Sequence, residues 1–170
     1  MKKWVLIVSV LLIVAIWQAT TIYLNTTKYQ ENAEQKAIEF AKKNSNIDVI
    51  TDVEYYHGSL AFHVVYGQTE TNKDIIIWVP ENKDGNILIK NASEGWTKEK
   101  VRQHVENQQT PKKIIDIRLG AEAMKDNRTE EIKITPIWEV TYIDQQNRYT
   151  YYFLKFIDGS FVKRYSLKQK

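Results

Sequence analysis

The N-terminal segment constrains this chain most, because residues 4–24 carry no charged side chain and are apolar over most of their length. As a helix, this run would extend about 31 Å, which matches the hydrocarbon thickness of a bilayer. A helix satisfies its own backbone polar groups and can therefore enter lipid. The run predicts a single transmembrane helix, so we expect residues 1–25 to form a cytoplasmic stub and a membrane anchor.

The residues flanking the apolar run predict its orientation. Lys2 and Lys3 precede it and favour a cytoplasmic N-terminus, which places the rest of the chain outside the cell. Trp4, Trp17 and Tyr23 are expected at the membrane interfaces, where amphipathic rings are enriched. A cleaved signal peptide is the alternative, although the small-x-small cleavage site that it requires is poorly formed here.

Composition limits the chemistry of the exported part. The chain has no cysteine, which excludes disulfides, thiolate catalysis and cysteine-based zinc sites. Its 24 basic residues less the two N-terminal lysines leave 22 against 21 acidic residues, a net charge of about +1. Such a balance provides no concentrated positive charge for phosphates, so we expect no nucleic-acid partner.

An amphipathic helix is predicted directly after the anchor, over residues 27–44. Ala33, Ala37, Phe40 and Ala41 fall on one stripe at helical spacing, while charged residues lie mostly elsewhere. Nothing in the sequence separates this helix from the apolar run. We therefore expect the first globular part to begin close to the membrane.

Two further helices are predicted in the second half of the chain. Residues 97–108 form one, with Thr97 as its N-cap. Residues 112–125 are expected to form the other, after a Thr-Pro start signal. Four apolar residues share one face of that last helix: Ile114, Ile117, Ala121 and Met124.

Alternating or β-branched apolar residues predict seven strands, which gives an α+β fold. Their predicted ranges are 49–55, 60–66, 74–79, 86–90, 132–143, 148–157 and 160–167.

The order of these elements predicts an internal repeat. Residues 62–66 (FHVVY) match residues 138–142 (WEVTY), and an Asp-Gly turn follows each block, at 84–85 and 158–159. Two copies of one unit, a helix packed on a small antiparallel sheet, explain this recurrence.

The repeat also predicts the domain boundaries. We expect a first domain at residues 26–92, a connecting helix at 93–110 and a second domain at 111–170.

Catalytic chemistry is not visible in the sequence. His57, His63 and His104 fall in a predicted turn, strand and helix, and no pair has the spacing of metal ligands. No serine lies in a Gly-x-Ser-x-Gly elbow, and the glycines are too sparse for a phosphate-binding loop. We therefore predict no catalytic residue, no metal site, no cofactor and no enzymatic activity.

Sheet faces are the remaining candidates for function. The strands at residues 74–79 and 148–157 are apolar on both faces, and a single helix covers only one face of a small sheet. The other face must pack against the second unit, another element or a partner. Trp78, Trp96 and Tyr151 are predicted to contact a partner, because amphipathic aromatic residues suit binding hot spots.

Taken together, the short lysine start, the apolar helix, and the signatures at residues 62–66, 138–142 and 158–159 resemble the TseB/YpmB family of Firmicutes. That resemblance implies two cystatin-like domains related to PepSY modules. It further implies a cell-wall (peptidoglycan) elongation regulator that acts beside a membrane-bound synthase, a class B penicillin-binding transpeptidase. It supplies no catalytic residues, and it leaves the oligomeric state open.

Two other functions remain open from the sequence. A PepSY-type peptidase inhibitor or chaperone-like module would present an exposed strand edge or loop to a protease cleft. An enzyme or small-ligand carrier would require a pocket with convergent polar groups between the two units.

Overall fold

The computed structural model describes residues 2–82, 87–125 and 130–168, with side chains at all of these except 2–3, 5–10, 24–27 and 29. In chain order its elements are α1 Lys2–Asn44, β1 Ile47–His57, β2 Ala61–Thr69, β3 Asp74–Pro80, β4 Leu88–Asn91, a 3₁₀ turn Ala92–Glu94, α2 Lys98–Gln109, β5 Lys113–Lys125, β6 Ile132–Ile143, β7 Arg148–Lys155 and β8 Phe161–Lys168. The chain divides into two compact units, Met1–Lys36 and Ala37–Lys170.

The first unit consists of the N-terminal part of α1. Trp4, Trp17 and Tyr23 are exposed on it. Among the described residues, no helix combines the length and the apolar character that crossing a membrane requires. The side chains of residues 5–10, where the predicted anchor begins, lie outside the described residues, so the anchor stays a prediction.

The second unit contains two antiparallel sheets of four strands. Sheet 1 has the order β1-β2-β3-β4 and sheet 2 the order β5-β6-β7-β8, so each sheet is a simple meander. The α+β class is confirmed. The matching blocks at residues 62–66 and 138–142 lie on β2 and β6, the second strand of each sheet. The predicted domain boundaries stay predictions.

The Asp-Gly turn between β7 and β8 forms as predicted. Gly159 has φ +68°, a left-handed conformation that favours glycine. The Asp158 carboxylate accepts a hydrogen bond from the Ser160 backbone N–H at 2.9 Å and stabilises the turn. The other predicted turn, at residues 84–85, lies outside the described residues.

The helix predicted at residues 112–125 is wrong, because this segment is the long strand β5. Its apolar residues fit a helical stripe, but Ile117, Leu119 and Ala121 also alternate with period two, and all three are buried. Pairing with β6 along the whole length of β5 satisfies its backbone on one side and decides in favour of the strand.

The apolar stripe predicted on the helix at residues 27–44 is correct for Ala37 and Ala41, while Ala33 is only partly buried and the prediction is wrong for Phe40. Ala37 and Ala41 are buried, whereas Phe40 is 40% exposed. Small side chains let the helix backbone approach Val65 and Ile77 of sheet 1, with which they form one apolar cluster. Phe40 lies to the side of this contact.

A second, larger cluster joins the other face of sheet 1 to sheet 2. Val64 and Trp78 from sheet 1, Val101 and Val105 from α2, and Leu119 from β5 are all fully buried in it. Thus α2, predicted to be a connector, contributes to the core between the sheets. This arrangement agrees with the expectation that the second apolar face of sheet 1 must be covered.

Thr97 caps α2 as predicted, since its hydroxyl oxygen accepts the Lys100 backbone N–H at 3.2 Å. We expect Thr97→Ala to lower the free energy of unfolding by about 1 kcal/mol, because one helix-terminal N–H loses its partner. Urea unfolding followed by circular dichroism measures the change. Thr97→Ser is the matched control and should keep most of the stability; equal stability of the alanine variant and the wild type would contradict the capping role.

Candidate functional site

Trp78, the first of the three predicted partner residues, lies in the interior. It is 0% exposed, and its indole Nε1 donates a hydrogen bond to the Gly120 carbonyl at 3.0 Å. Its ring packs edge-on against Phe156, with centroids 5.8 Å apart. This side chain therefore joins β3 to β5 and is not available to a partner at the surface.

Trp96, the second predicted residue, is half-buried beside α2. Its backbone N–H donates to Phe156 O at 2.7 Å, and its carbonyl accepts from Trp138 Nε1 at 3.0 Å. One ring face carries the Lys100 ammonium at 4.4 Å, and His104 contacts the ring edge-on. These contacts fix Trp96 as a bridge between sheet 2 and α2.

Tyr151, the third predicted residue, lines a groove on the face of sheet 2, hereafter the sheet-2 groove. The groove has a volume of about 390 Å³ and is bounded on one side by residues 56–59, at the end of β1 and the following turn. Its remaining lining comes from all four strands of sheet 2: Arg118, Glu122, Glu139, Tyr151, Phe153, Lys163, Tyr165 and Leu167.

A row of basic, acidic, aromatic and basic side chains crosses the floor of the groove. Strand register places Arg118 opposite Glu139, Glu139 opposite Phe153, and Phe153 opposite Lys163. Directly opposed side chains on neighbouring antiparallel strands are close enough to interact. The successive pairing of strands β5, β6, β7 and β8 thus brings residues from distant parts of the sequence onto one surface.

Two ion pairs hold the charged side chains of the groove in place. Arg118 donates to the Glu139 carboxylate at 3.2 Å, and Lys163 donates to both oxygens of Glu122 at 2.6 and 2.7 Å. The side chains of Glu139 and Glu122 are only 7% and 11% exposed. Burying a carboxylate without a partner is costly, so Arg118 and Lys163 are required to stabilise the buried carboxylates of Glu139 and Glu122.

Aromatic rings form the other part of the groove. Tyr151 and Tyr165 stack with centroids 4.9 Å apart, and Phe153 lies 5.8 Å from Tyr165. The Lys163 ammonium sits 4.5 Å above the Phe153 ring. This arrangement couples the ion pairs to the aromatic surface and keeps the rings in a defined orientation.

Tyr56 from sheet 1 closes one end of the groove. Burial raises the pKa of its phenol, and the negative charges of Glu139 and Glu122 raise it further. Burial also raises the pKa of Tyr165. Both phenols therefore keep their protons at neutral pH.

The groove is suited chemically to recognition. It is an open sheet face whose carboxylates are already engaged by cations, next to aromatic rings that combine apolar area with polar edges. Within the described ranges, no three His, Asp or Glu residues come close enough to hold a metal ion.

Of the three predicted partner residues, only Tyr151 lines the sheet-2 groove, and the charged residues beside it were not singled out from the sequence. Glu139 lies between the apolar residues Trp138 and Val140, and its position there was a usable signal for a buried charge that needs a partner. Glu122 and Arg118 were missed because their segment was predicted to be a helix. Only as a strand paired with β6 does this segment place them beside Glu139 on one sheet face.

The two meander sheets, their common core and the groove define this chain as a tandem-sheet α+β protein. Residues 36–80, which span the end of α1 to the end of β3, match the family model described as the cell wall elongation regulator TseB-like domain. A curated relative, the probable cell wall elongation regulator TseB of Bacillus subtilis (strain 168), is 24% identical over 157 residues, covering 92% of this chain and 91% of the relative.

A solved structure agrees with these sequence matches. The YpmB protein from Bacillus subtilis superimposes with a TM-score of 0.67 at 26% identity, covering 78% of this chain and 96% of that chain. These matches confirm the predicted resemblance: the chain is similar to members of the TseB/YpmB family in sequence and in fold.

Proposed function

We propose that this chain is a non-enzymatic regulator of cell-wall elongation, anchored in the cell membrane with its sheets outside the cell, and that it binds a class B penicillin-binding transpeptidase. The printed name of the relative, a probable cell wall elongation regulator, supports the regulatory role. The family resemblance drawn from the sequence supports the choice of partner.

Anchoring is supported by the uncharged run at residues 4–24 and by the two lysines before it. Thr20 and Thr21, near the end of this run, donate their hydroxyl groups to the backbone carbonyls of Ile16 and Trp17 at 2.8 and 2.9 Å. A hydroxyl group that is satisfied within its own helix is compatible with an apolar surrounding. Tethering would raise the effective concentration of a membrane-bound partner, so a modest interface would suffice.

The observation that carries the proposal is the sheet-2 groove. The stacked rings of Tyr151 and Tyr165 lie beside two ion pairs, and together they provide the mixture of aromatic and polar groups found at protein interfaces. Tyr165 is 47% exposed, so a partner that covers it would bury a large amphipathic ring. The groove thus provides a contact surface for the transpeptidase.

In-cell photocrosslinking tests this proposal. A photoreactive amino acid at Tyr165 should capture a class B transpeptidase, identified by mass spectrometry. Tyr55 provides the matched control, because it is also a tyrosine with 47% exposure but lies on sheet 1, outside the groove. We expect recovery of the transpeptidase from position 165 at least about tenfold above that from position 55, as expected for a residue at the centre of an interface. Equal recovery from both positions would reject the groove as the contact surface, and absence of any wall synthase from the crosslinked material would reject the partner.

The peptidase-inhibitor function stays the second candidate, because it requires an exposed strand edge and β8 provides one. Phe161, Tyr165 and Leu167 are exposed on this edge strand of sheet 2. Titration of the full chain against secreted and membrane peptidases would distinguish the two candidates, since a regulator of wall synthesis should leave their activity unchanged.

A further inference from the structure

The four edge strands of the two sheets differ in how they are protected. β5 lies against sheet 1, where its Gly120 carbonyl accepts the Trp78 hydrogen bond. β1 is interrupted by two register shifts before Asp52, and its later part lies against β5, where Tyr56 contacts Gly120. β4 is only four residues long. Covering, bulging and shortening are the usual means by which proteins prevent an edge from pairing with another chain. These three edges are therefore closed to further strands.

The fourth edge, β8, has none of these protections over residues 163–168. This segment pairs with β7 in unbroken register, and the one irregularity between the strands lies before it. Tyr165 and Leu167, exposed by 47% and 55%, project on the side of the sheet-2 groove. Since side chains alternate along a strand, Arg164 and Lys168 belong to the opposite face. An added strand would find free backbone groups, an apolar row on one face and a basic row on the other.

Charge on this edge is of one sign. β7 and β8 together contain five basic and no acidic residues. Arg148 and Lys163 are ion-paired with Asp144 and Glu122. In the part of the chain that the structure describes, Arg164 and Lys168 form no ion pair with a carboxylate; Arg164 donates to the neutral Gln109 side chain at 2.9 Å. The exposed edge thus keeps positive charge that is not neutralised by the chain itself.

We propose that β8 binds an extended segment of a partner protein in which acidic and apolar residues alternate, so that the segment becomes a fifth strand of sheet 2. Its apolar side chains would lie beside Tyr165 and Leu167, and its acidic side chains beside Arg164 and Lys168. A second copy of β8 is disfavoured as the occupant, because its lysines and arginine would meet the same positive charges. The identity of the protein that supplies the segment rests on the proposed function. The way in which the segment binds is inferred from the structure.

Binding of synthetic peptides to the purified full chain in mild detergent tests this proposal. A fluorescent peptide of about ten residues that alternates Glu with Val should bind, and its affinity should fall as salt is added. The same peptide with Lys in place of Glu should bind at least about tenfold more weakly, because attraction becomes repulsion at two cross-strand pairs. Equal binding of the two peptides would overturn the charge argument.

Matched charge reversals locate the site. Arg164→Glu combined with Lys168→Glu should weaken binding of the Glu-Val peptide about tenfold. Lys42→Glu combined with Lys73→Glu changes the net charge equally at exposed positions of the second unit and should leave binding within about twofold. The same effect from both pairs would mean that the peptide responds to overall charge and not to β8.

Hydrogen exchange distinguishes strand addition from loose ionic binding. Backbone amides of residues 163–168 should exchange more slowly when the Glu-Val peptide is bound, because some of them become hydrogen-bonded to the new strand. Binding without such protection would overturn the inference. The outcome is separate from the crosslinking result: peptide binding without recovery of a wall synthase would reject the proposed function alone, and the converse would reject strand addition alone.

Discussion

Replacing Trp78 with alanine should lower the free energy of unfolding by about 3–5 kcal/mol, because it leaves a large cavity at the centre of the protein. Trp78 is fully buried, contacts Phe156 and is hydrogen-bonded to Gly120 on the other sheet. Its loss would remove both apolar contact and the one tryptophan hydrogen bond between β3 and β5. Chemical denaturation followed by far-UV circular dichroism measures this change without depending on tryptophan fluorescence.

Trp78→Phe separates the hydrogen bond from the packing. Phenylalanine keeps an aromatic ring but has no donor for the Gly120 carbonyl, so we expect a smaller loss of about 1–3 kcal/mol. If the alanine variant were as stable as the wild type, Trp78 would not lie in the core between the sheets. A phenylalanine variant as unstable as the alanine variant would show that the hydrogen bond outweighs the volume.

Gly120→Ala should destabilise the protein by about 3 kcal/mol through steric overlap. A Cβ atom at this position would lie 2.4 Å from ring atoms of Tyr56, well inside the contact distance of two carbon atoms. The ring is buried between β1 and β5, so it cannot move aside without disturbing both sheets. Backbone strain is not involved, since Gly120 is an ordinary strand residue.

A double-mutant cycle with Tyr56→Ala tests this explanation. Tyr56→Ala alone should be destabilising, because it removes a buried ring, but it should also create space for the new methyl group. The double variant should therefore lose less stability than the sum of the two single variants. Additive effects would mean that Tyr56 is not the group with which the alanine collides.

Local patterns in the sequence were enough for most elements of the fold. Alternation predicted β1, and β-branched and aromatic residues predicted β2. Thr97 predicted the start of α2, and the Asp158-Gly159 pair predicted a hairpin turn. These predictions succeed because capping, turn conformation and strand alternation depend on residues within a few positions of one another. The similarity of residues 62–66 and 138–142 likewise predicted two sheets of the same plan.

Tertiary structure decided what local patterns left ambiguous. Residues 113–125 satisfy both a helical and a strand pattern, and pairing with β6 selects the strand. Trp78 has the chemistry of an interface residue, yet the packing of sheet 1 against β5 buries it. The groove depends on the same pairing, since Arg118, Glu139 and Lys163 are distant in sequence and meet only across hydrogen-bonded strands.

The sequence by itself determined the α+β class, seven of the eight described strands, the near-neutral charge of residues 4–170 and the family resemblance. The burial of Trp78, the identity of β5, the ion pairs of the groove and the open edge at β8 were decided only by the tertiary structure. The physical reason is that propensities and periodicity act along the chain. Burial, charge pairing and edge protection instead depend on which distant segments come into contact.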